Sequence, residues 1–283
     1  MKILDNFNTG KKENILDISD DVELIDGDFT NDQITEAAVK NVDVLFHQGA
    51  IPSVPKSINN PMKTNHANIV GTLQLLHSAT RAKVSRFIYA ASSSAYGDST
   101  ILPKHEKMPG KPMSPYAVSK YSGELYCKVF YDLHGLETIS LRYFNVFGPR
   151  QDPHSKYAAV IPSFITSIRD NQSPTIFGDG SQSRDFTFIG NVVSANLLAA
   201  NAPKLQGEVV NIGSGSRIDL NTLIAEINSI LGKNIQANYD RERPGDVKHS
   251  LADIRLAEEL LGYRPIVSFN EGLRQTIHWF NRQ

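Results

Sequence analysis

Tyr116 and Lys120 stand four residues apart in Tyr116-Ala117-Val118-Ser119-Lys120. On a helix this spacing puts both side chains on one face, a turn apart. A phenol is a poor base at neutral pH because its ordinary pKa is about 10. A neighbouring ammonium favours the phenolate and lowers that value. A shift of roughly three units requires about 4 kcal/mol of differential stabilisation. Taken alone the pair says little, since many solvated helix faces carry Tyr-x-x-x-Lys. Upstream, Ala90-Ala91-Ser92-Ser93-Ser94-Ala95-Tyr96-Gly97 places three serines after an apolar run. Hydroxyls donate and accept, so Ser92 can share a reacting hydroxyl with Tyr116. The plainer reading of the serines is a polar turn. Together the two segments describe a proton-transfer site.

Elements must hold these groups in place. Apolar runs at 42–47, 86–91, 138–141 and 208–212 read as strands. Stretches 62–80, 116–134, 159–169, 191–202 and 220–231 read as helices. Strands alternating with helices predict an α/β fold, a parallel sheet covered on both faces. Ligands of such sheets gather beyond the carboxyl ends of the strands, where the serines fall. Segments 148–184 and 240–249 are rich in Pro, Gly and polar residues. The chain therefore divides into a cofactor lobe (1–147 and 185–215) and a smaller interleaved lobe (148–184 and 216–283).

The 283 residues are 40% apolar, enough for a sizeable core. Charged residues make up 21% and the net charge is −1. That balance gives no electrostatic reason to expect nucleic acid or an anionic membrane. No apolar run approaches the roughly 20 residues of a membrane span. Cys127 is the sole cysteine, so no intrachain disulfide forms, and a reducing cytoplasm is the expected location. In its apolar helical setting it reads as a packing thiol. No metal-ligand cluster is expected.

The serine cluster, Tyr116-x-x-x-Lys120, Leu141-Arg142-Tyr143-Phe144-Asn145-Val146-Phe147-Gly148 and Arg243-Pro244-Gly245-Asp246 occur in that order. This set resembles the extended short-chain dehydrogenase/reductases that act on nucleotide sugars. Phe46-His47-Gln48-Gly49-Ala50, Ser53-Val54-Pro55-Lys56-Ser57 and Tyr157-Ala158-Ala159-Val160-Ile161-Pro162 are most similar to the UDP-N-acetylglucosamine/UDP-glucose 4-epimerase branch. The resemblance implies a Rossmann-like doubly wound sheet, NAD as cofactor and a UDP-sugar as substrate. It also implies a homodimer through a four-helix interface built from 64–80 and 116–134.

Residue by residue, the resemblance assigns Ser92, Tyr116 and Lys120 to catalysis. Asp5 and Asn6 would hold the adenosine ribose; a carboxylate there favours NAD over NADP. Asp28 would meet the adenine amino group. Gln48, Gly49, Ala50, Asn68, Tyr143, Tyr116 and Lys120 would complete the cofactor site. Ser92, Ser93, Ser94 and Asn145 would face the sugar-diphosphate. Ala159 and Val160 would flank uracil. Arg184 and Arg243 would clamp the diphosphate, a task suited to a permanently charged fork. Asp246 would accept from the uridine ribose. Ser250 would leave room for an N-acetyl group. Each has a plainer reading: Asp5 and Asn6 as a surface turn, Asp28 as a helix cap, the arginines as weak surface ion pairs. Lys56, Lys104, Lys107 and Lys111 read as solvated charge.

The implied reaction is 4-epimerisation. Tyr116 and Ser92 take the proton of the 4-hydroxyl, the C4 hydride passes to NAD, and the 4-keto sugar turns and is reduced on its other face. Related dehydratases place an acid pair where this chain has Ser93 and Ser94, so elimination is not expected. Two alternatives stand beside epimerisation: a UDP-glucuronate decarboxylase or other nucleotide-sugar enzyme, and a cofactor-deficient binding or structural dimer protein. The second arises because the family opens on a strand and Gly-x-x-Gly-x-x-Gly, whereas Met1-Lys2-Ile3-Leu4-Asp5-Asn6 resembles the family's second strand. A slot in the sheet beside residues 2–5 is the structural expectation.

Overall fold

In a computed structural model, which describes residues 1–152, 159–242 and 247–282, the 86–91 run forms a strand, Arg86–Ser92, buried in all but its last residue. Uninterrupted apolar character suits a strand covered on both faces. The expected site residues Arg243 and Asp246, and Tyr157 and Ala158 of the uracil motif, lie outside the described residues.

Contacts divide the chain into two units. The first comprises Met1–Ala95, Pro112–Arg142 and Ala199–Val209. Its elements are β1 (Lys2–Asp5), β2 (Glu23–Asp26), α1 (Asp32–Val39), β3 (Val44–His47), α2 (Val54–Asn59), α3 (Pro61–Asn65), α4 (Gly71–Arg81), β4 (Arg86–Ser92), α5 (Pro115–His134) and β5 (Glu137–Tyr143). A single π turn, His66–Val70, joins α3 to α4, so the expected 62–80 helix is one continuous rod with a widened turn. Local chemistry sets the ends of α5. The Ser114 side chain accepts from the Ala117 amide, Pro115 occupies the first turn, and Gly135 follows the last.

β3 and β4 pair in parallel, Val44 opposite Arg86 through His47 opposite Tyr89. β5 lies beside β4, and the strand Glu208–Ile212 takes the outer place beside β5; Gly207 donates to the Thr138 carbonyl at its start. β1 and β2 form a separate parallel pair. Among the described residues β1 pairs only with β2, and β3 only with β4. Phe46 on β3 is 43% exposed, unusual for a strand of a doubly covered sheet. A core of Leu75, Leu76, Ala79, Phe87, Tyr89, Cys127 and Phe130 binds α4 and α5 to β4.

The second unit comprises Tyr96–Lys111, Tyr143–Leu198 and Val210–Gln283. It holds β6 (Val146–Phe147), α6 (Val160–Arg169), β7 (Thr175–Phe177), β8 (Ser183–Arg184), β9 (Thr187–Phe188), α7 (Ile189–Asn201), the end of β10 (Glu208–Ile212), β11 (Ile218–Asp219), α8 (Leu220–Leu231), β12 (Asn238–Asp240), α9 (Arg255–Leu261) and α10 (Phe269–Phe280). Short strand pairs β6–β9, β7–β12 and β8–β11 frame it. Its core is aliphatic and aromatic: Ile161, Ile165 and Ile168 of α6, Leu223 and Ile227 of α8, Leu273 and Ile277 of α10, around Phe147, Phe186 and Phe188. Segments 96–111, 143–147, 185–198 and 210–215 cluster here by contact, although the sequence associates them with the cofactor lobe. Contacts are not ligands, and the allotment of ligands to lobes stays a proposal. Lys104 requires correction: it is 2% exposed, its amine donating to the Ser99 carbonyl at 2.8 Å, whereas Lys56, Lys107 and Lys111 are exposed as expected.

Candidate active site

β4 ends at Ser92, and a tight turn, Ser93–Tyr96, follows. The Ser94 hydroxyl donates to the Ser92 hydroxyl at 2.9 Å, and the Ser94 amide approaches the same oxygen at 3.2 Å. Tyr116 lies in the first turn of α5, and the Ser92 hydroxyl favours its phenolate. Lys120, one turn on, is 4% exposed. Its amine donates to the Ala90 carbonyl at 2.8 Å and lies over the Tyr89 ring, 5.0 Å from the centroid. Two serines, the phenol and the amine therefore meet at the carboxyl end of β4.

Burial pushes the Tyr116 phenol up from its ordinary value, and the Ser92 hydroxyl only partly opposes this. Burial in turn brings the Lys120 ammonium down to about 8, against the pull of Glu124 and then Cys127. A phenolate at neutral pH thus requires more positive charge than the chain itself brings to Tyr116.

The adenosine-side residues sit at the carboxyl ends of β1 and β2. Asp5 accepts from the Phe7 amide at 2.7 Å and Asn6 accepts from the Asn8 amide at 3.0 Å, two successive Asx turns. The Asn6 amide group donates to Asp28 at 2.8 Å, tying the two loops together. Asp28 also accepts from the amide and hydroxyl of Thr30. Burial raises its carboxyl, but these hydrogen bonds outweigh it and hold the group below the usual carboxylate range. Asp28 caps no helix: Asn31 caps α1. Gly49 follows β3, where an added Cβ would lie 2.7 Å from the Phe29 ring; a side chain there would displace Phe29. Asn68 is 1% exposed; it accepts from the Ile51 amide at 2.8 Å and donates to Ser119 at 3.0 Å. Its side chain fixes the loop carrying Gln48, Gly49 and Ala50 against α5. These groups fit the two ends of a dinucleotide: carboxylates for ribose hydroxyls and an amino group, and a phenol and an ammonium for the reacting ring. No described loop offers a glycine-rich helix start for the pyrophosphate.

In the second unit the Asn145 amide group donates to the Asp185 carbonyl at 2.9 Å and to the Ser250 hydroxyl at 3.0 Å. Asn145 has φ 29°, a strained value for a side chain-bearing residue. Ser250 is 7% exposed. Arg184 donates to the carbonyls of Ser183 and Lys248, both at 3.0 Å. It lines a cavity of about 70 Å³ with Phe177, Asp179, Gln182, Glu242 and Lys248. Tyr143 and Asn196 exchange hydrogen bonds. Ala159 stands at the N-cap of α6, and Val160 packs onto the core.

Sequence reasoning missed two polar nodes. Asp185 is fully buried and accepts from the Ser214 amide and hydroxyl, the Gly215 amide and the Ala252 amide. Burial raises its carboxyl despite these donors. Glu124 and Arg142 form a buried pair in the first unit. The signal for it was an acidic residue on the Tyr116–Lys120 face, one further turn along α5.

The family model described as "NAD dependent epimerase/dehydratase family" matches residues 3–213. A solved UDP-N-acetylglucosamine 4-epimerase of Methanobrevibacter ruminantium, in complex with UDP-N-acetylmuramic acid, is 40% identical. It aligns over 100% of this chain and 90% of its own, with a TM-score of 0.96. The UDP-glucose 4-epimerase of Thermotoga maritima, solved with UDP-glucose, is 34% identical over 99% of this chain and 90% of its own, with a TM-score of 0.94. The UDP-glucose 4-epimerase of Mycolicibacterium smegmatis is 33% identical over 99% of this chain and 90% of its length. Motif order, sheet and serine–tyrosine geometry agree with this likeness, and the chain belongs to the NAD-dependent epimerase/dehydratase family.

Proposed function

We propose that this protein interconverts UDP-hexoses epimeric at C4, with UDP-N-acetylglucosamine and UDP-N-acetylgalactosamine as the preferred pair. The carrying observation is the meeting of the paired Ser92 and Ser94 hydroxyls, the Tyr116 phenol and the buried Lys120 amine at the carboxyl end of β4. Bound NAD would supply reversible hydride acceptance at C4. Ser92 holds the 4-hydroxyl, its own oxygen oriented by Ser94. Tyr116 receives that hydroxyl's proton and returns it, so acid and base are one group used in both directions. Lys120 keeps positive charge beside the phenol. Asn145, Arg184, Arg243 and Asp246 anchor the nucleotide diphosphate while the ring turns, and Ala159 and Val160 flank the base. Asp5, Asn6 and Asp28 hold the adenosine end of the cofactor, and Gln48, Gly49, Ala50, Asn68 and Tyr143 its remainder.

Incubating the purified protein with NAD and UDP-N-acetylglucosamine, UDP-glucose or UDP-glucuronate tests this reading. Formation of the 4-epimers without net change in NAD is expected. Release of carbon dioxide from UDP-glucuronate would replace the proposal with a decarboxylase. UDP-sugar binding without turnover would replace it with a binding protein. Substrate choice rests on Ser250: Ser250→Tyr should cut kcat/KM for the N-acetylated pair at least tenfold more than for the unsubstituted pair. Equal losses would remove Ser250 from selection.

We also propose a homodimer through α4 and α5. Val118, Leu125, Val129 and Leu133 form an exposed stripe on α5, and Met62 and Val70 are exposed on the adjoining helices. Contiguous exposed apolar surface of this kind favours a second copy over water. Replacing Leu125 and Val129 by Glu should shift the sedimentation coefficient from dimer to monomer; an unchanged value rejects this face.

A further inference from the structure

Lys120 is surrounded by titratable groups from every element packed on it. Tyr116, Glu124 and Cys127 share its helix, Tyr89 faces it from β4 and His47 from β3. Burial holds three of these neutral: His47 is brought down to about 3, Cys127 pushed to about 12, and Tyr89 raised well above its ordinary value. Tyr116 is likewise raised. The charge acting on Lys120 therefore comes from Glu124, which Arg142 on β5 holds. Glu124 and Arg142 are fastened in two-pronged geometry, Nε to Oε1 at 2.9 Å and Nη2 to Oε2 at 2.6 Å. Both side chains are nearly inaccessible, 4% and 2% exposed, and the guanidinium stands over the Tyr121 ring.

The set Lys120⁺, Glu124⁻ and Arg142⁺ carries one net positive charge inside the first unit. A phenolate at Tyr116 would bring it to neutrality. Remove the Glu124 charge and two cations share a dry interior. Arginine does not release its proton, so lysine must.

We propose that Glu124, held by Arg142, is a positioning residue that keeps Lys120 in its ammonium form and so sets the pH range over which Tyr116 can serve as base. Arg142 orients the carboxylate and favours its charged form. This inference rests on the proposed role of Tyr116 and Lys120, but its first measurement does not need turnover. Loss of the Glu124 charge lowers the lysine's proton affinity. Loss of Arg142 deprives the buried carboxylate of the guanidinium that favours its charged form, so it lowers the lysine's affinity too. A pair that merely braced the fold would behave differently: losing either partner would admit water and move Lys120 up towards its ordinary value.

The test is lysine titration by NMR in the full chain, with carbon-13 at the lysine ε position. The Lys120 signal is identified by its loss in Lys120→Met. In Glu124→Gln the Lys120 midpoint should fall by about one unit or more, a tenfold change in proton affinity. In Arg142→Met it should also fall, and Glu124→Asp should restore most of the wild-type value. An upward shift or an unmoved midpoint in Glu124→Gln or in Arg142→Met overturns the proposal. If Glu124→Gln does not fold, Arg142→Met and Glu124→Asp decide it by the same criteria. In the active enzyme, the alkaline fall in kcat should follow Lys120 to lower pH in Glu124→Gln, with KM little changed. A lysine shift without any epimerase activity in the wild type would reject the proposed function and leave the Glu124 assignment standing.

Discussion

The phenol of Tyr116 is the residue on which the chemistry turns. Burial alone drives it the wrong way for a base, because removing water penalises the phenolate. The Ser92 hydroxyl recovers part of that loss. The remainder must come from positive charge near the oxygen: the Lys120 ammonium, which also donates to the Ala90 carbonyl, and an oxidised nicotinamide ring. The expected consequence is a basic form of Tyr116 that develops with the cofactor in place. Tyr116→Phe should lower kcat at least a thousandfold while leaving UDP-sugar affinity within a fewfold, measured by calorimetry. General acid–base groups commonly contribute ~10²–10⁴-fold, and here one group serves both half-reactions. Wild-type turnover in this variant would remove Tyr116 from the mechanism.

At the scale of elements, α5 does most of the positioning. It starts on Ser114 and Pro115, presents Tyr116, Lys120 and Glu124 along one face, and lies against β4 through Gly123. A Cβ at Gly123 would sit 2.4 Å from the Tyr89 phenol oxygen. Helix propensity alone would favour alanine there by about 1 kcal/mol. Overpacking costs roughly 1–3 kcal/mol, and here the obstructing atoms belong to a fully buried ring hemmed by His47 and the core. The steric effect should win: Gly123→Ala is expected to lower the urea midpoint and, by pushing α5 off β4, to weaken the Ser92–Tyr116 contact and kcat. A midpoint above wild type would mean that Tyr89 yields easily. The amphipathic runs at 116–134 and 220–231 were legible as helices because their apolar period is strong. α10 was overlooked although Ser268 and Glu271 mark its start and Leu273, Ile277 and Phe280 repeat at helical spacing. Its signal is local and recoverable. The burial of Lys104 is not, since it depends on Leu251 and Ala252 meeting the 96–111 segment from far along the chain.

For the molecule as a whole, His47 should shape the response to acid. It is buried, hydrogen-bonded to Thr72 at 2.8 Å and ringed by Phe29, Phe87 and Tyr89. Its folded pKa is about 3, against about 6.5 when unfolded. Between those values the unfolded chain binds more protons, so stability rises with pH across that window and is lost on acidification. The contribution is about 5 kcal/mol at most. His47→Gln should flatten the change in urea midpoint between pH 7 and 4.5; an unchanged slope would assign acid sensitivity elsewhere.

The sequence by itself determined the alternating strands and helices, the serine–tyrosine–lysine constellation and the family. Each of these is written in local periodicity or in the type and order of a few residues. Only the tertiary structure decided which charges share an interior. Arg142 was visible within a motif, yet its pairing with Glu124 required β5 to lie against α5. Likewise only folding brought the Lys120 amine onto the Ala90 carbonyl of β4. Side-chain ionisation depends on solvent exclusion and on partners distant in the chain, and neither exists until the layers have packed.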